Sequence, residues 1–256
     1  MNGQQQVPGV IGFAPATDAV YLRTMQMPEP RTVQGLVNRL RVLYATLDTD
    51  EFFALDDEGR TQEAQPLIEE AARSLQAAGA DFLVVTSNTG SLILEEAAIS
   101  DLPPMLSIFD ATAAAAQDAG VSRIGLLSTR RTAESRRYDE ALARIGVETL
   151  IPALPLLAEI DSMIDREAIR GLQTPEALAL LHQAVARFAE LDAQAIILGC
   201  TDLMLFGAAA IGADLLPVID STVEHAHAAR RLARAPKSAP SPERPHTAPP
   251  VPSDGR

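Results

Sequence analysis

The sequence predicts an α/β protein built on parallel sheets, because short apolar runs alternate with longer segments of helical periodicity along most of its 256 residues. Several apolar runs are continuous, which is typical of strands that helices cover on both faces. In the longer segments, apolar residues recur at three- and four-residue spacing. Sheets of this kind bind ligands at the carboxyl ends of their strands, so functional residues are expected there.

The individual elements follow from these patterns. The predicted strands are, in chain order, residues 9–13, 41–47, 81–86, 104–109, 123–128, 147–152, 193–199 and 215–220. The strongest helical patterns are 61–79, which ends at Gly79 as a suitable C-cap, and 175–191. Residues 234–256 are rich in Pro, Ala and Ser, and we expect them to form a disordered tail.

The composition limits the classes of partner. Lys and Arg number 21 against 34 Asp and Glu, and the net charge of −13 argues against nucleic-acid binding through a broad basic face. No apolar run is long enough to span a bilayer, and residues 1–13 lack the pattern of a secretory signal. A single cysteine cannot form an internal disulfide, so we expect a cytoplasmic protein without membrane partners.

The sequence also lacks motifs for cofactors. It contains no phosphate-binding loop and no dinucleotide-binding glycine fingerprint. His225 and His227 lie two residues apart, so they do not share a helix face, and no Cys/His cluster accompanies them. We therefore expect neither a cofactor nor a metal.

Two segments of the chain echo each other. "ADFLVVTSNTG" (80–90) and "AQAIILGCTDL" (193–203) both run through four apolar residues into a small residue, and then into Ser87 or Cys200. This echo indicates a weak internal duplication. We predict two pseudo-symmetric lobes, each with a parallel sheet of the four-stranded type flanked by helices, and an active-site cleft between them. Residues 1–112 with 213–233 are expected to form one lobe, and residues 113–212 the other.

Two strand ends on opposite walls of a cleft favour one kind of chemistry. Racemisation of an amino acid without a cofactor needs a base on one face of the α-carbon and an acid on the other. Cysteine serves in either role, because helix N-termini and nearby donors lower the pKa of a thiol. The helices that begin after these strands offer free N–H groups to a substrate carboxylate.

A wider set of motifs points the same way. The segments are, in chain order, "GVIGFAP", "GADFLVVTSNTGS", "PMLSIFDATAAAA", "IGLLSTRRTAESRRYDEAL", "IDREAIRG", "ILGCTDL" and "PVIDSTVEHAHAA". Together they resemble the aspartate/glutamate racemase superfamily, and the aspartate racemase branch in particular, over roughly residues 8 to 233. The motif around Cys200 and the closing segment with His225 are the most specific.

The resemblance implies roles for individual residues. Cys200 would be the base that acts on the L-enantiomer, and Ser87 would stand opposite it. The residues expected to bind the substrate are Asn88, Thr89, Thr129, Thr201 and, as a further contact, Glu167. The substrate would be an acidic or related amino acid or carboxylic acid, no cofactor would be needed, and the protein would be a homodimer. Candidates for binding a second substrate carboxylate are Arg130, Arg131 and Arg170.

The sequence also departs from the family pattern. Ser87 stands where the family has its first catalytic cysteine, and Ser91 where a histidine is usual. A serine hydroxyl is a much weaker acid than a thiol, so we expect slow, substrate-restricted or one-sided chemistry. Two alternatives stay open: a one-cysteine decarboxylase of the arylmalonate type, which would release carbon dioxide, and a binding homologue that has lost turnover.

Overall fold

The computed structural model describes residues 5–27 and 39–237. In these ranges the strands are β1 (Pro8–Gly12), β2 (Leu43–Thr46), β3 (Phe82–Val85), β4 (Arg123–Leu127), β5 (Glu148–Leu150), β6 (Ala195–Leu198) and β7 (Val218–Asp220). The α-helices are α1 (Pro15–Gln26), α2 (Thr49–Asp57), α3 (Thr61–Ala77), α4 (Asn88–Ala97), α5 (Ile108–Asp118), α6 (Arg130–Glu134), α7 (Arg137–Ala143), α8 (Leu154–Arg166), α9 (Pro175–Glu190), α10 (Ala208–Ile211) and α11 (Ser221–Arg234). Two 3₁₀ helices span Ala168–Arg170 and Thr201–Phe206. The predicted α/β class with parallel sheets and two lobes is confirmed.

The sheet of the first lobe has three strands within the described residues, in the order β2-β1-β3. Val10 in the middle of β1 lies opposite Tyr44 on one side and Val84 on the other. All residues of β1 and β3 are buried, as their continuous apolar runs predict. The predicted strand 104–109 is reduced to one parallel bridge between Leu83 and Met105, because Ser107 already caps helix α5.

The sheet of the second lobe has four parallel strands in the part of the chain that the structure describes, in the order β5-β4-β6-β7. Ile196 in β6 lies opposite Gly125 on one side and Val218 on the other. A side chain at Gly125 would meet the Phe188 ring of α9 at 2.4 Å, so the glycine allows this helix to pack directly on the sheet. The residues of β6 are buried throughout.

The segment predicted to close the first lobe, residues 213–233, divides between the two lobes. Strand β7 pairs in parallel with β6 and forms one edge of the second sheet. Helix α11 then returns to the first lobe, where it packs on α1, and it also contacts α5. Within residues 213–233, β7 thus belongs to the second sheet, whereas α11 packs on the first lobe as predicted for this segment.

The chain beyond α11 is described only as far as Lys237. Its first residues, which the composition places in a disordered tail, are in fact anchored: Lys237 forms an ion pair with Asp81, and Pro236 bridges to Gln5. The remainder of the predicted tail, residues 238–256, lies outside the described residues. No helix within the described ranges is long and apolar enough to cross a membrane.

Candidate active site

A cleft of about 620 Å³ lies at the carboxyl ends of strands β3, β4 and β6, where the two lobes meet. The predicted site residues that line it are Ser87, Asn88, Thr89, Thr129, Cys200 and Thr201. The strand–helix alternation brings these residues together because parallel strands end at the same edge of each sheet. The cleft is therefore the candidate active site.

Ser87 is the last residue before helix α4 and caps it. Its hydroxyl oxygen accepts a hydrogen bond from the backbone N–H of Gly90 at 3.1 Å, and its carbonyl accepts one from the Ser91 hydroxyl at 2.8 Å. A side chain at Gly90 would meet the Phe13 ring at 2.5 Å, so only glycine allows this close approach of helix and loop. Ser87 is thus held in one orientation, with its own hydroxyl proton left available to donate.

Cys200 holds the matching position after β6, immediately before the 3₁₀ helix Thr201–Phe206. Its side chain is buried, and burial raises the pKa of the thiol above its usual range, an effect that the Asp202 carboxylate increases. The backbone N–H groups of Asp202 and Leu203 partly offset this rise, although neither makes a capping hydrogen bond of normal geometry. In the free protein at neutral pH the sulfur is therefore protonated.

Asp202 links the Cys200 loop to the first lobe. The Thr17 hydroxyl of α1 donates a hydrogen bond to its Oδ1 at 3.2 Å. Burial raises the pKa of Asp202 to about 6, and the charge of Asp18 adds to the rise. Asp18 is itself held by the Tyr44 hydroxyl, at 2.8 Å, and by the backbone N–H of Phe13, at 3.2 Å. The Thr17 hydroxyl thus ties the loop after β6 to the first lobe.

Asn88 begins helix α4 and is oriented by a tyrosine from the second lobe. The Tyr138 hydroxyl donates a hydrogen bond to its Oδ1 at 2.9 Å. The Nδ2 group of Asn88 is buried and has no hydrogen-bond partner among the described residues, although Asn88 lines the cleft. A buried N–H without an acceptor is costly, so this amide is a ready donor to a ligand oxygen.

Thr129 and the two arginines after it form the wall of the cleft contributed by α6. Thr129 caps this helix by accepting from the backbone N–H of Thr132 at 3.3 Å. Arg130 Nε lies 3.9 Å from Asp161 Oδ2, and Arg131 Nε lies 3.4 Å from Asp56 Oδ2. Arg131 Nη2 also lies 3.2 Å from Glu96 Oε2 of α4. The Arg131 guanidinium is therefore shared between two carboxylates, whereas that of Arg130 lies at the long limit of an ion pair.

Three residues that the family resemblance singles out do not line the cleft. Glu167 ends α8 and accepts a hydrogen bond from the Thr174 hydroxyl, which braces the loop between α8 and α9. Arg170 is exposed in the short 3₁₀ helix that follows. His225 is fully buried, and burial lowers its pKa to about 4, so it is neutral at pH 7.

The neutral His225 ring joins three parts of the fold. Its Nε2–H donates to the carbonyl of Leu106, so its Nδ1 accepts from the Tyr21 hydroxyl, each at 3.0 Å. The roles follow from the carbonyl, which can only accept. His225 thus connects α11, α1 and the loop before α5.

Five acidic residues of α2 and α8 that line the cleft were not anticipated from the sequence. They are Asp50, Asp56 and Asp57 from α2, and Asp161 and Asp165 from α8. Two signals were present: "DTDEFFALDD" concentrates acids just after β2, and Asp161 and Asp165 are four residues apart, which places them on one helix face. No group of three His, Cys, Asp or Glu side chains within the described ranges is arranged to hold a metal ion.

Known proteins share both the sequence pattern and the architecture. A family model described as Asp/Glu/Hydantoin racemase matches residues 29–229. The crystal structure of a candidate Asp/Glu racemase from Yersinia pestis is 30% identical and superposes with a TM-score of 0.75, covering 89% of this chain and 99% of that one. The structure of an aspartate racemase homologue from Pyrococcus horikoshii has the same fold at 24% identity, with a TM-score of 0.67 over 90% of this chain and 99% of the other.

Glutamate racemases also match by sequence. The enzyme from Pediococcus pentosaceus is 26% identical over 193 residues, which are 71% of each chain. The enzyme from Aquifex aeolicus is 33% identical over 102 residues, so this match spans 38% of the present chain and 40% of that protein. Since the family model extends over most of the sequence and the fold agrees, the chain belongs to the Asp/Glu/hydantoin racemase family.

Proposed function

We propose that this protein is a cofactor-independent amino-acid racemase or epimerase that works at the α-carbon of its substrate through Cys200. One observation carries the proposal: Ser87 and Cys200, at equivalent strand ends of the two lobes, line the same cleft. Membership of a racemase family supports the isomerase class. The family resemblance implies an acidic or related amino acid as substrate.

The substrate carboxylate is expected to bind at the first turn of α4. The free N–H groups and the positive end of the helix dipole favour an anion there. The unpartnered Nδ2 of Asn88 would donate to one carboxylate oxygen. Thr89, Thr129 and Thr201 line the same cleft and add hydroxyl donors.

Cys200 is expected to remove the α-proton of the L-enantiomer as a thiolate. Burial and the neighbouring Asp202 charge keep the thiol pKa high in the free protein. The ammonium group of a bound amino acid brings a positive charge close to the sulfur, which lowers the pKa of the thiol. Substrate binding would therefore favour the base form that the reaction needs.

Ser87 gives the opposite face of the α-carbon a weaker partner. Its hydroxyl can return a proton or hold a water molecule, but it is a poor base, because an alkoxide is rare near pH 7. Inversion should therefore be slow. Since two enantiomers have equal free energy, kcat/KM for inversion must be equal in both directions. The asymmetry between Cys200 and Ser87 should instead appear as exchange of the L α-proton without inversion.

The experiment that tests the proposal follows the α-proton by NMR in heavy water. The full chain is incubated separately with the L- and D-enantiomers of aspartate, glutamate and further amino acids. Loss of the α-proton signal in the wild type, and its persistence with Cys200→Ala, would support the proposal. The absence of exchange with every amino acid tested would contradict it and would leave the binding homologue as the better description. The arylmalonate-type decarboxylase is not favoured, because the relatives are racemases.

A further inference from the structure

We propose that the cleft takes an amino acid whose side chain carries a positive charge, such as lysine, and binds that charge between the carboxylates of α2 and α8. This inference rests on the proposed function, because the α-carbon of the same molecule must reach Cys200. It differs from the acidic substrate that the family resemblance implies.

The first observation is the negative charge that α2 and α8 contribute to the cleft. Five aspartates from the two helices line it, namely Asp50, Asp56, Asp57, Asp161 and Asp165. Partial desolvation raises the pKa of Asp57, and the neighbouring negative charges, chiefly that of Asp165, raise it further. Helix α2 follows strand β2 of the first lobe, and α8 belongs to the second lobe. A cation between the two helices would therefore relieve the repulsion between their carboxylates across the cleft.

The second observation concerns the two arginines of the cleft. A second substrate carboxylate would need a cation, and Arg130 and Arg131 are the basic side chains among the described residues that line the cleft. Arg130 already lies beside Asp161, and its backbone N–H donates to the same carboxylate at 2.8 Å. Arg131 is shared between Asp56 and Glu96. A dicarboxylate would compete with these carboxylates for the two arginines and would meet the negative charge of Asp50, Asp57 and Asp165.

The third observation points to a ligand independently of the acids. Asn88 is almost fully buried, lines the cleft, and has an Nδ2 group without a partner among the described residues. This donor lies at the start of α4, beside Ser87. The cleft therefore has a free hydrogen-bond donor at the start of α4 and carboxylates along its α2 and α8 walls. An amino acid with a cationic side chain has the matching order of charges, with its carboxylate at one end and its cation at the other.

The acids are not a metal site. Within the described ranges, no three acidic or histidine side chains are close enough to coordinate one ion. Carboxylates spread over two helices suit a flexible ammonium or guanidinium group, which forms ion pairs without a fixed coordination geometry. The cleft volume of about 620 Å³ also leaves room for an extended side chain beyond the α-carbon.

The test compares three L-amino acids of similar length, namely lysine, norleucine and glutamate, in the heavy-water exchange assay. Norleucine has the four side-chain carbons of lysine but lacks its terminal ammonium group. The variants are Asp57→Asn and Asp165→Asn, and the matched control is Glu159→Gln, an exposed carboxylate of α8 that does not line the cleft. We expect wild-type kcat/KM for exchange to be at least about fivefold higher for lysine than for norleucine. Two partly exposed ion pairs, from the lysine ammonium group to Asp57 and Asp165, stabilise binding by enough to give this ratio.

The variants should reduce this preference. Asp57→Asn and Asp165→Asn should each lower the ratio of the lysine value to the norleucine value about two- to fivefold, whereas Glu159→Gln should not change this ratio. Faster exchange of glutamate than of lysine would overturn the inference and leave the racemase proposal intact. Equal values for lysine and norleucine would also overturn it.

A binding measurement keeps the two proposals separable. If none of the three amino acids exchanges its α-proton, the binding of each to the protein is titrated by isothermal calorimetry. A Kd for lysine at least about fivefold below that for norleucine and glutamate, and lost in Asp57→Asn, supports the cationic ligand even without turnover. The absence of that preference overturns it.

Discussion

Ser87 and Cys200 occupy equivalent positions in the two lobes, since each stands two residues beyond a buried parallel strand and immediately before the helix that follows it. Only the Ser87 side chain accepts a capping hydrogen bond of normal geometry, from Gly90. The sulfur of Cys200 accepts no such hydrogen bond from the helix that follows it, and Cys200 lines the same cleft. The pseudo-symmetry of the fold thus places two different functional groups at one site: the Ser87 hydroxyl, which caps a helix, and the Cys200 thiol, which can ionise.

Replacing Ser87 by cysteine should restore a second base. Ser87→Cys is expected to raise the rate of α-proton exchange from the D-enantiomer at least about tenfold, because a thiolate is far more accessible than an alkoxide near pH 7. Inversion should accelerate equally from both enantiomers. The rates are measured by NMR in heavy water together with chiral chromatography.

The matched control for that substitution is Ser87→Ala. It removes the helix cap without adding a thiol, so we expect a loss of about 1 kcal/mol in the free energy of unfolding and no gain in D-exchange. Thermal or denaturant unfolding measures the first effect. An equal gain in D-exchange with alanine would show that the serine hydroxyl obstructs the reaction and does not take part in it.

Asp202 should control the ionisation of Cys200. Its carboxylate raises the pKa of the thiol, so Asp202→Asn should lower that pKa and speed alkylation of Cys200 by iodoacetamide at pH 8. Because Cys200 is the single cysteine of the chain, the reaction reports on this site alone. Glu159→Gln serves as the control, and an unchanged alkylation profile in Asp202→Asn would contradict the assigned coupling.

The same carboxylate should make stability depend on pH. The folded-state pKa of Asp202, about 6, lies above its ordinary value of 3.8, so the folded state binds the extra proton between these values. Its contribution to stability is complete below pH 3.8 and is lost as the pH rises through 6. Asp202→Asn should therefore stabilise the protein relative to wild type by on the order of 1 to 3 kcal/mol at pH 8, and by less at pH 4. Unfolding curves at the two values measure the difference.

His225 should have the opposite dependence. Burial lowers its pKa from 6.5 to about 4, so the unfolded state binds more protons between these values. The contribution is complete above pH 6.5 and is lost as the pH falls toward 4, which amounts to on the order of 3 kcal/mol. The stability cost of His225→Gln should shrink over that range, because the substituted side chain does not titrate. A cost that does not vary with pH would show that the buried ring is not neutral.

The orientation of Asn88 should affect binding of the substrate. Asn88→Ala removes the unpartnered amide and is expected to raise KM for exchange about tenfold, as the loss of a hydrogen bond to a charged group predicts. Tyr138→Phe frees the same side chain without removing it, so its effect on KM should be smaller. Steady-state exchange kinetics distinguish the two, and an unchanged KM in Asn88→Ala would argue against carboxylate binding at α4.

The sequence predicts the parts of the fold that local patterns determine. Strands β3 and β6 are continuous apolar runs between turn signals, and the residues at their ends reach the cleft as expected. The pairing of β7 could not be read in this way, because hydrogen bonding to a distant strand decides it. The run 104–109 fails as a strand because the cap at Ser107 starts a helix inside it.

The site was predicted only where one motif contains its residues. Ser87, Asn88 and Cys200 lie in the two echoed segments, so a pattern along the chain finds them. The acids of α2 and α8 lie about a hundred residues apart, and only the fold brings them to one cleft. Glu167 matches the family motif but turns to Thr174 instead, which the spacing along the chain could not show.

Catalysis by Cys200 is tested most directly by following the α-proton of an L-amino acid in heavy water, with the wild-type protein and with Cys200→Ala. The melting temperature of the variant is measured first, to establish that it is folded. The panel includes aspartate, glutamate, lysine and norleucine. We predict that at least one L-amino acid loses its α-proton signal with the wild type and keeps it with Cys200→Ala. Undiminished exchange in Cys200→Ala, or no exchange with any amino acid of the panel, would contradict catalysis at this cysteine.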